Sequence, residues 1–65
     1  MDDLDKLKHL VAHWKEHNEE HARTYLDWSK KADDAGRAEL ARILRELAEG
    51  TMKMGKLFEK AGGLL

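Results

Sequence analysis

The sequence predicts an all-α fold, an antiparallel two-helix hairpin that assembles with further copies into a homo-oligomeric, dimeric four-helix-type bundle. Proline is absent from the 65 residues, and leucine, alanine, glutamate, lysine and arginine are abundant, a composition that favours helix. Apolar residues recur at alternating steps of three and four in two segments, which is the spacing of helices that pack together. The chain has no cysteine, so a core this small must be stabilised by something other than disulfides.

The first helix is predicted over about residues 3–33. Asp2 or Asp3 provides an N-cap, and acidic side chains in the first turn suit the positive end of the helix dipole. The apolar stripe that follows, called here the first stripe, holds the heptad spacing for about four repeats. The first stripe comprises Leu4, Leu7, Val11, Trp14, Asn18, His21, Tyr25, Trp28 and Ala32.

A turn is predicted over residues 34–36, because Gly36 is suited to the left-handed conformation that ends helices. Asp33 or Asp34 is the expected cap of the second helix, which is predicted over about residues 37–61. This helix carries a broader stripe, called here the second stripe, flanked on one side by small residues that permit another helix to approach closely. The second stripe comprises Leu40, Leu44, Leu47, Thr51, Met54, Phe58 and Ala61, and the small flank comprises Ala41, Ala48 and Gly55.

The two helices form one domain over residues 1–65, and they cannot cover both stripes by themselves. The first stripe alone contains two tryptophans, which a single neighbouring helix does not bury. We therefore expect self-association, most simply two hairpins forming a four-helix bundle.

Charge and hydropathy exclude several classes of protein. The net charge of −1 with 38% charged residues provides no basic excess for nucleic-acid phosphates, so a nucleic-acid partner is not expected. No apolar run approaches the roughly 20 residues that span a bilayer, so no membrane partner is expected either. The acidic N-terminus is unlike a signal peptide, and the absence of cysteine fits a reducing compartment, which together predict a cytoplasmic protein.

All four histidines of the chain lie at one interval, at His9, His13, His17 and His21. In a helix each step of four advances only about 40° around the axis, and side chains four apart lie about 5–6 Å from each other. Two imidazoles at this spacing can bind one ion, and imidazole suits Ni, Zn, Cu and Co. We predict a transition-metal site at His17 and His21, the two nearest the first stripe, with His13 as the next ligand.

Three further side chains are expected to support this site. Glu16 and Glu20 could add oxygen ligands or accept hydrogen bonds from the imidazoles, and Asn18 is adjacent in the sequence. The second helix has no histidine. A complete set of ligands would therefore require the same residues from a second copy of the chain, so the metal site and self-association are predicted together.

The alternative hypothesis is an interaction module that binds no metal. Asn18 and His21 lie in the first stripe between tryptophans, where they would form a buried polar layer. Such a layer can fix the register of an oligomer by hydrogen bonding. Catalysis has little support, because the sequence has no cysteine nucleophile, no glycine-rich phosphate loop and no Glu-x-x-His pair. The protein is therefore predicted not to be an enzyme.

Residues 13–28 resemble the sequence pattern of a known family. The segment reads His-Trp-Lys-Glu-His-Asn-Glu-Glu-His-Ala from His13, and it resembles an uncharacterised family of short helical hairpins with the pattern His-Trp-x-Glu-His-Asn-x-x-His-Ala. His13, His17, Asn18 and His21 match that pattern, and His9 lies outside it. In some chains, a segment of this kind looks appended to a small nickel-binding accessory protein. The resemblance implies an association with nickel or a related metal, and a metalloprotein or metal-accessory protein as partner.

Overall fold

Two long helices pack side by side in opposite directions, which confirms the predicted helical hairpin. The computed structural model describes residues 2–65, with α1 over Asp3–Asp34 and α2 over Ala38–Gly63. The pair forms a narrow rod of 51 × 16 × 11 Å. α2 continues through both C-terminal glycines. Within the described part of the chain, neither helix is long and apolar enough to cross a membrane.

The N-terminus of α1 is capped by an aspartate, as its sequence predicts. The Asp2 carboxylate accepts a hydrogen bond from the backbone N–H of Asp5 at 2.9 Å. Asp3 and Asp5 place negative charge in the first turn, where the exposed N–H groups of a helix favour it. The start of α1 is therefore determined by the residues at its own N-terminus.

The turn between the helices is a Schellman motif centred on Gly36. Its φ of +77° lies in the left-handed region, which glycine adopts without steric cost. The backbone N–H of Gly36 donates to the Asp33 carbonyl at 3.0 Å, and that of Arg37 donates to the Ala32 carbonyl at 2.9 Å, the two bonds that define the motif. The N-cap of α2 is Arg37, without a side-chain bond. The expected cap at Asp33 or Asp34 is therefore wrong, because both residues still belong to α1.

Small side chains make the contact between α1 and α2. Ala41 and Ala48 on α2 are completely buried, and a Cβ added at Gly55 would lie 3.6 Å from the Asn18 amide nitrogen. Small residues at an interface let two helix backbones approach closely, which increases dispersion contacts along both helices. The buried residues of α1 are Val11, Asn18, Ala22, Ser29 and Ala32.

The contact uses only part of each predicted stripe. On α1 the residues Val11, Asn18 and Ala32 are buried, whereas the tryptophans between them, Trp14 and Trp28, remain 44% and 55% exposed. On α2 the predicted small flank takes the central place. The second stripe is consequently divided: Leu44, Thr51 and Phe58 are half-buried, and Leu40, Leu47 and Met54 are exposed.

The exposed residues of the first and second stripes lie on one face of the hairpin. A step of three residues turns back by about 60°, which leads from Val11 to Trp14 and from Asn18 to His21 on α1. The same step leads from Thr51 to Met54 on α2. Because the helices are antiparallel, an equal turn in the same sense moves both sets to the same side. We call this side the apolar face. Its members include Trp14, His21 and Trp28 of α1 and Leu40, Leu47 and Met54 of α2.

Candidate metal centre

Three imidazoles form a continuous row along the exposed side of α1. The ring centroids of His13 and His17 are 4.3 Å apart in an edge-on arrangement, and those of His17 and His21 are 6.5 Å apart. All three side chains are exposed. The interval of four produces this row, because it keeps successive rings on adjacent turns of one helix.

The row ends on a half-buried tyrosine. The ring of Tyr25 stacks on that of His21, with centroids 6.1 Å apart and an interplanar angle of 16°. Tyr25 lies four residues after His21 and so continues the same interval. This contact was not predicted from the sequence, although the interval of four residues between His21 and Tyr25 could have revealed it. The stacking places His21 at the border between the apolar face and the hairpin contact.

The row has a spacing that suits two ligands on one ion. When two imidazoles bind one tetrahedral ion at about 2.0–2.1 Å, their ring centroids lie about 5 Å apart. The observed separations of 4.3 and 6.5 Å bracket this value. The centroid separations are thus compatible with His17 and either neighbour binding one ion.

A single hairpin provides an incomplete set of ligands. Among residues 2–65, no three histidine, aspartate or glutamate side chains converge on a position that could hold an ion. Glu16 and Glu20 are exposed on α1, and neither forms an ion pair or side-chain hydrogen bond with an imidazole among the described contacts. One chain thus offers imidazole pairs, and further ligands have to come from water or from another molecule.

Asn18 has a different role from the one that its sequence position suggested. Its side-chain amide donates a hydrogen bond to the Thr51 carbonyl of α2 at 2.7 Å, and the residue is buried. His21 is exposed on the apolar face. Within one hairpin, Asn18 and His21 therefore lie on different sides of α1, because the three-residue step between them turns one side chain inward and the other outward.

His9 lies apart from the row. It borders a surface groove with Lys6, Leu10 and His13, on the side of α1 that points away from α2. Each step of four residues advances by about 40° around the helix axis. His9 lies three such steps before His21 and is therefore rotated from it by about 120°. His9 is consequently the natural internal control for any property attributed to His17 and His21.

Comparison with known proteins places the chain in a family. Residues 7–65 match the model of a family described as a domain of unknown function, DUF8180. The chain is also 33% identical over 58 residues to an uncharacterised protein of the archaeon Archaeoglobus fulgidus, an alignment that covers 89% of this chain and 92% of the relative. No solved structure matches the chain. With nearly its whole length matched, the chain belongs to the DUF8180 family.

Proposed function

We propose that the protein binds a transition-metal ion through His17 and His21, with His13 as an additional ligand, and that a second copy of the chain completes the site. The observation that carries this proposal is the continuous row of exposed imidazoles, with ring centroids 4.3 and 6.5 Å apart, beside the apolar face. Imidazole nitrogen is a preferred ligand of Zn, Ni, Cu and Co. Glu16 and Glu20 are the nearest sources of oxygen ligands or hydrogen-bond acceptors for the imidazoles.

The role that we infer is metal handling or metal-dependent assembly, not catalysis. The four histidines all belong to one helix, and the sequence contains no cysteine, so imidazole is the main type of ligand that the helix offers. Nickel is the first ion to test, because the pattern from His13 to Ala22 resembles that of hairpins associated with nickel-binding accessory proteins. Such an accessory protein or its metalloprotein client is the partner that this resemblance suggests.

Alanine substitution of individual histidines tests the proposal. We expect His17→Ala and His21→Ala each to weaken Ni²⁺ or Zn²⁺ binding by about a hundredfold or more, since each removes a direct ligand, a larger loss than outer residues usually cause. His13→Ala should cause a smaller loss. The measurement is isothermal titration of the untagged protein with NiCl₂ and with ZnCl₂.

His9→Ala is the matched control, because it removes the same side chain from the same helix outside the row. Its affinity should equal that of the unaltered protein. Equal losses for His9→Ala and His17→Ala would indicate unspecific binding by surface histidines and would refute the site.

Homo-oligomerisation without metal is the second candidate function. The observation that favours it is the apolar face itself, with Trp14 and Trp28 about half exposed. In this account the tryptophans hold the subunits together. In the predicted layer of Asn18 and His21, the Asn18 amide donates to the Thr51 carbonyl of its own chain, and the exposed His21 is the member that can set the register between chains. An oligomer that is unaffected by chelator and by added metal would distinguish this function from the first.

A further inference from the structure

The hairpin exposes more surface than a compact protein of its size. Its accessible surface is 5217 Å², whereas a compact monomer of 7.5 kDa exposes about 4,250 Å². The excess of roughly 1,000 Å² is close to the share of about 800 Å² that each partner buries in a stable protein–protein interface. One further copy, packed along the rod, would thus cover the surplus.

The stripe of α1 on the apolar face has the spacing of a helix that pairs with an antiparallel copy of itself. We call this set the outer stripe; it alternates steps of four and three, as the contact positions of coiled coils do. The outer stripe comprises Leu10, Trp14, His17, His21, Thr24 and Trp28. Its positions are symmetric about Glu19, because each member has a counterpart at an equal distance on the other side.

The centre of this symmetry coincides with the centre of the helix. The midpoint of α1, which spans Asp3–Asp34, falls between Asn18 and Glu19. The midpoint of His17 and His21 falls at Glu19, about 0.75 Å further along the axis. Two copies of α1 that overlap over their full length in antiparallel orientation therefore place their histidines at the same level.

From these observations we infer that two hairpins pack through their apolar faces with α1 antiparallel to the partner's α1, on a two-fold axis level with Glu19. In this register His17 lies beside the partner's His21, and His21 lies beside the partner's His17. Trp28 packs against the partner's Leu10, and by symmetry this contact occurs on both sides of the histidine layer. The two tryptophans therefore shield the histidines from water at both ends. This inference rests on the proposed function and specifies it: the site comprises four imidazoles, two from each chain, for one tetrahedral ion per dimer.

Other registers do not give this arrangement. Sliding one copy by a heptad would move His17 to the level of the partner's Trp28 or Trp14, and it would shorten the overlap of the two helices. A parallel pair of hairpins related by an axis along the rod would place α1 opposite α2 of the partner, which has no histidine. Only the full-overlap antiparallel register collects the four rings.

Distances between spin labels test the orientation without reference to metal. The absence of native cysteine allows single-site labelling at Lys8→Cys and Lys30→Cys, two exposed positions equally far from Glu19, and at Glu19→Cys as a central control. In the antiparallel dimer the two outer pairs are separated by about 33 Å along the axis at 1.5 Å per residue, whereas the central pair has no axial separation. Electron–electron double resonance should therefore give clearly longer distances at both outer sites than at the centre, where the labels are separated only across the width of the dimer. Equal distances at all three sites, or no dimer, would overturn the inference.

Titration with ZnCl₂ separates this inference from the general proposal. Saturation at one ion per two chains, lost in His17→Ala, supports the four-imidazole site. Saturation at one ion per chain would overturn it while leaving metal binding by the histidine row intact. An antiparallel dimer that binds no ZnCl₂ or NiCl₂ would retain the pairing of α1 and refute both the four-imidazole site and the proposed function.

Discussion

Trp28→Glu is expected to dissociate the dimer while leaving each hairpin folded. Trp28 is 55% exposed on the apolar face and its ring is contacted by the Lys31 ammonium at 4.2 Å, so the side chain contributes little to the contact between α1 and α2. In the dimer that we propose, it packs against the partner's Leu10. Removing a tryptophan that anchors an interface costs about 2–4 kcal/mol, which corresponds to a rise in the dissociation constant of about 30- to 1,000-fold. Sedimentation equilibrium measures this constant directly.

Met52→Glu is the matched control for Trp28→Glu. Met52 is 48% exposed, but it borders a groove with Glu19 and Arg23 on the opposite face. A carboxylate there should leave the dissociation constant unchanged. If both variants weaken the dimer equally, the apolar face is not the interface. If neither does, the chain does not self-associate through Trp28.

Ala48→Leu is expected to destabilise the hairpin itself. Ala48 is completely buried between α1 and α2, and three additional carbon atoms would force the helices apart. Overpacking of this kind typically costs about 1–3 kcal/mol. In a chain this small each kcal/mol lowers the melting temperature by about 4–8 °C. Thermal unfolding followed by far-ultraviolet circular dichroism measures the change.

The same exchange at an exposed alanine controls for effects of leucine that are unrelated to packing. Ala12 lies on α1 outside the helix contact, and surface substitutions usually change stability by less than about 0.5 kcal/mol. Ala12→Leu should therefore melt close to the unaltered protein. A melting temperature for Ala48→Leu as high as that of Ala12→Leu would contradict the close approach of the two helices at this position.

The helical hairpin could be predicted from the sequence because its signals are local. The missing prolines, the heptad spacing, the cap at Asp2 and the glycine at Gly36 each act within a few residues. The rotation of the helices about their own axes could not be predicted in the same way. A heptad stripe indicates which residues favour burial. It does not determine which half of the stripe contacts the other helix of the hairpin and which half is left for another molecule.

The division of the first stripe follows from the small flank of α2. Because Ala41, Ala48 and Gly55 permit close approach, α2 presents these residues to α1 in place of its larger ones. The contact on α1 then centres on Val11 and Asn18, and the tryptophans turn outward. The sequence predicted that this flank permits another helix to approach closely, but it did not specify that this helix is α1; the dispersion energy gained when two backbones approach favours that contact.

The candidate site could be predicted in part for the same reason. The row of His13, His17 and His21 depends only on the pitch of one helix, so its order followed from the spacing. The placement of Asn18 depends on the rotation of α1 against α2, which the spacing did not determine. Its hydrogen bond to the Thr51 carbonyl makes it part of the hairpin contact, separate from the imidazole row.

Native mass spectrometry measures the subunit number and the bound metal of this protein in one experiment. The sample is untagged protein purified without added metal, measured before and after chelator and after addition of NiCl₂ or ZnCl₂. We expect a dimer that carries the additional mass of one transition-metal ion; chelator should remove this ion, and His17→Ala and His21→Ala should lack it. An oligomer that contains no metal and does not take up either ion would contradict the metal site, and it would leave self-association through the apolar face as the function that the hairpin supports.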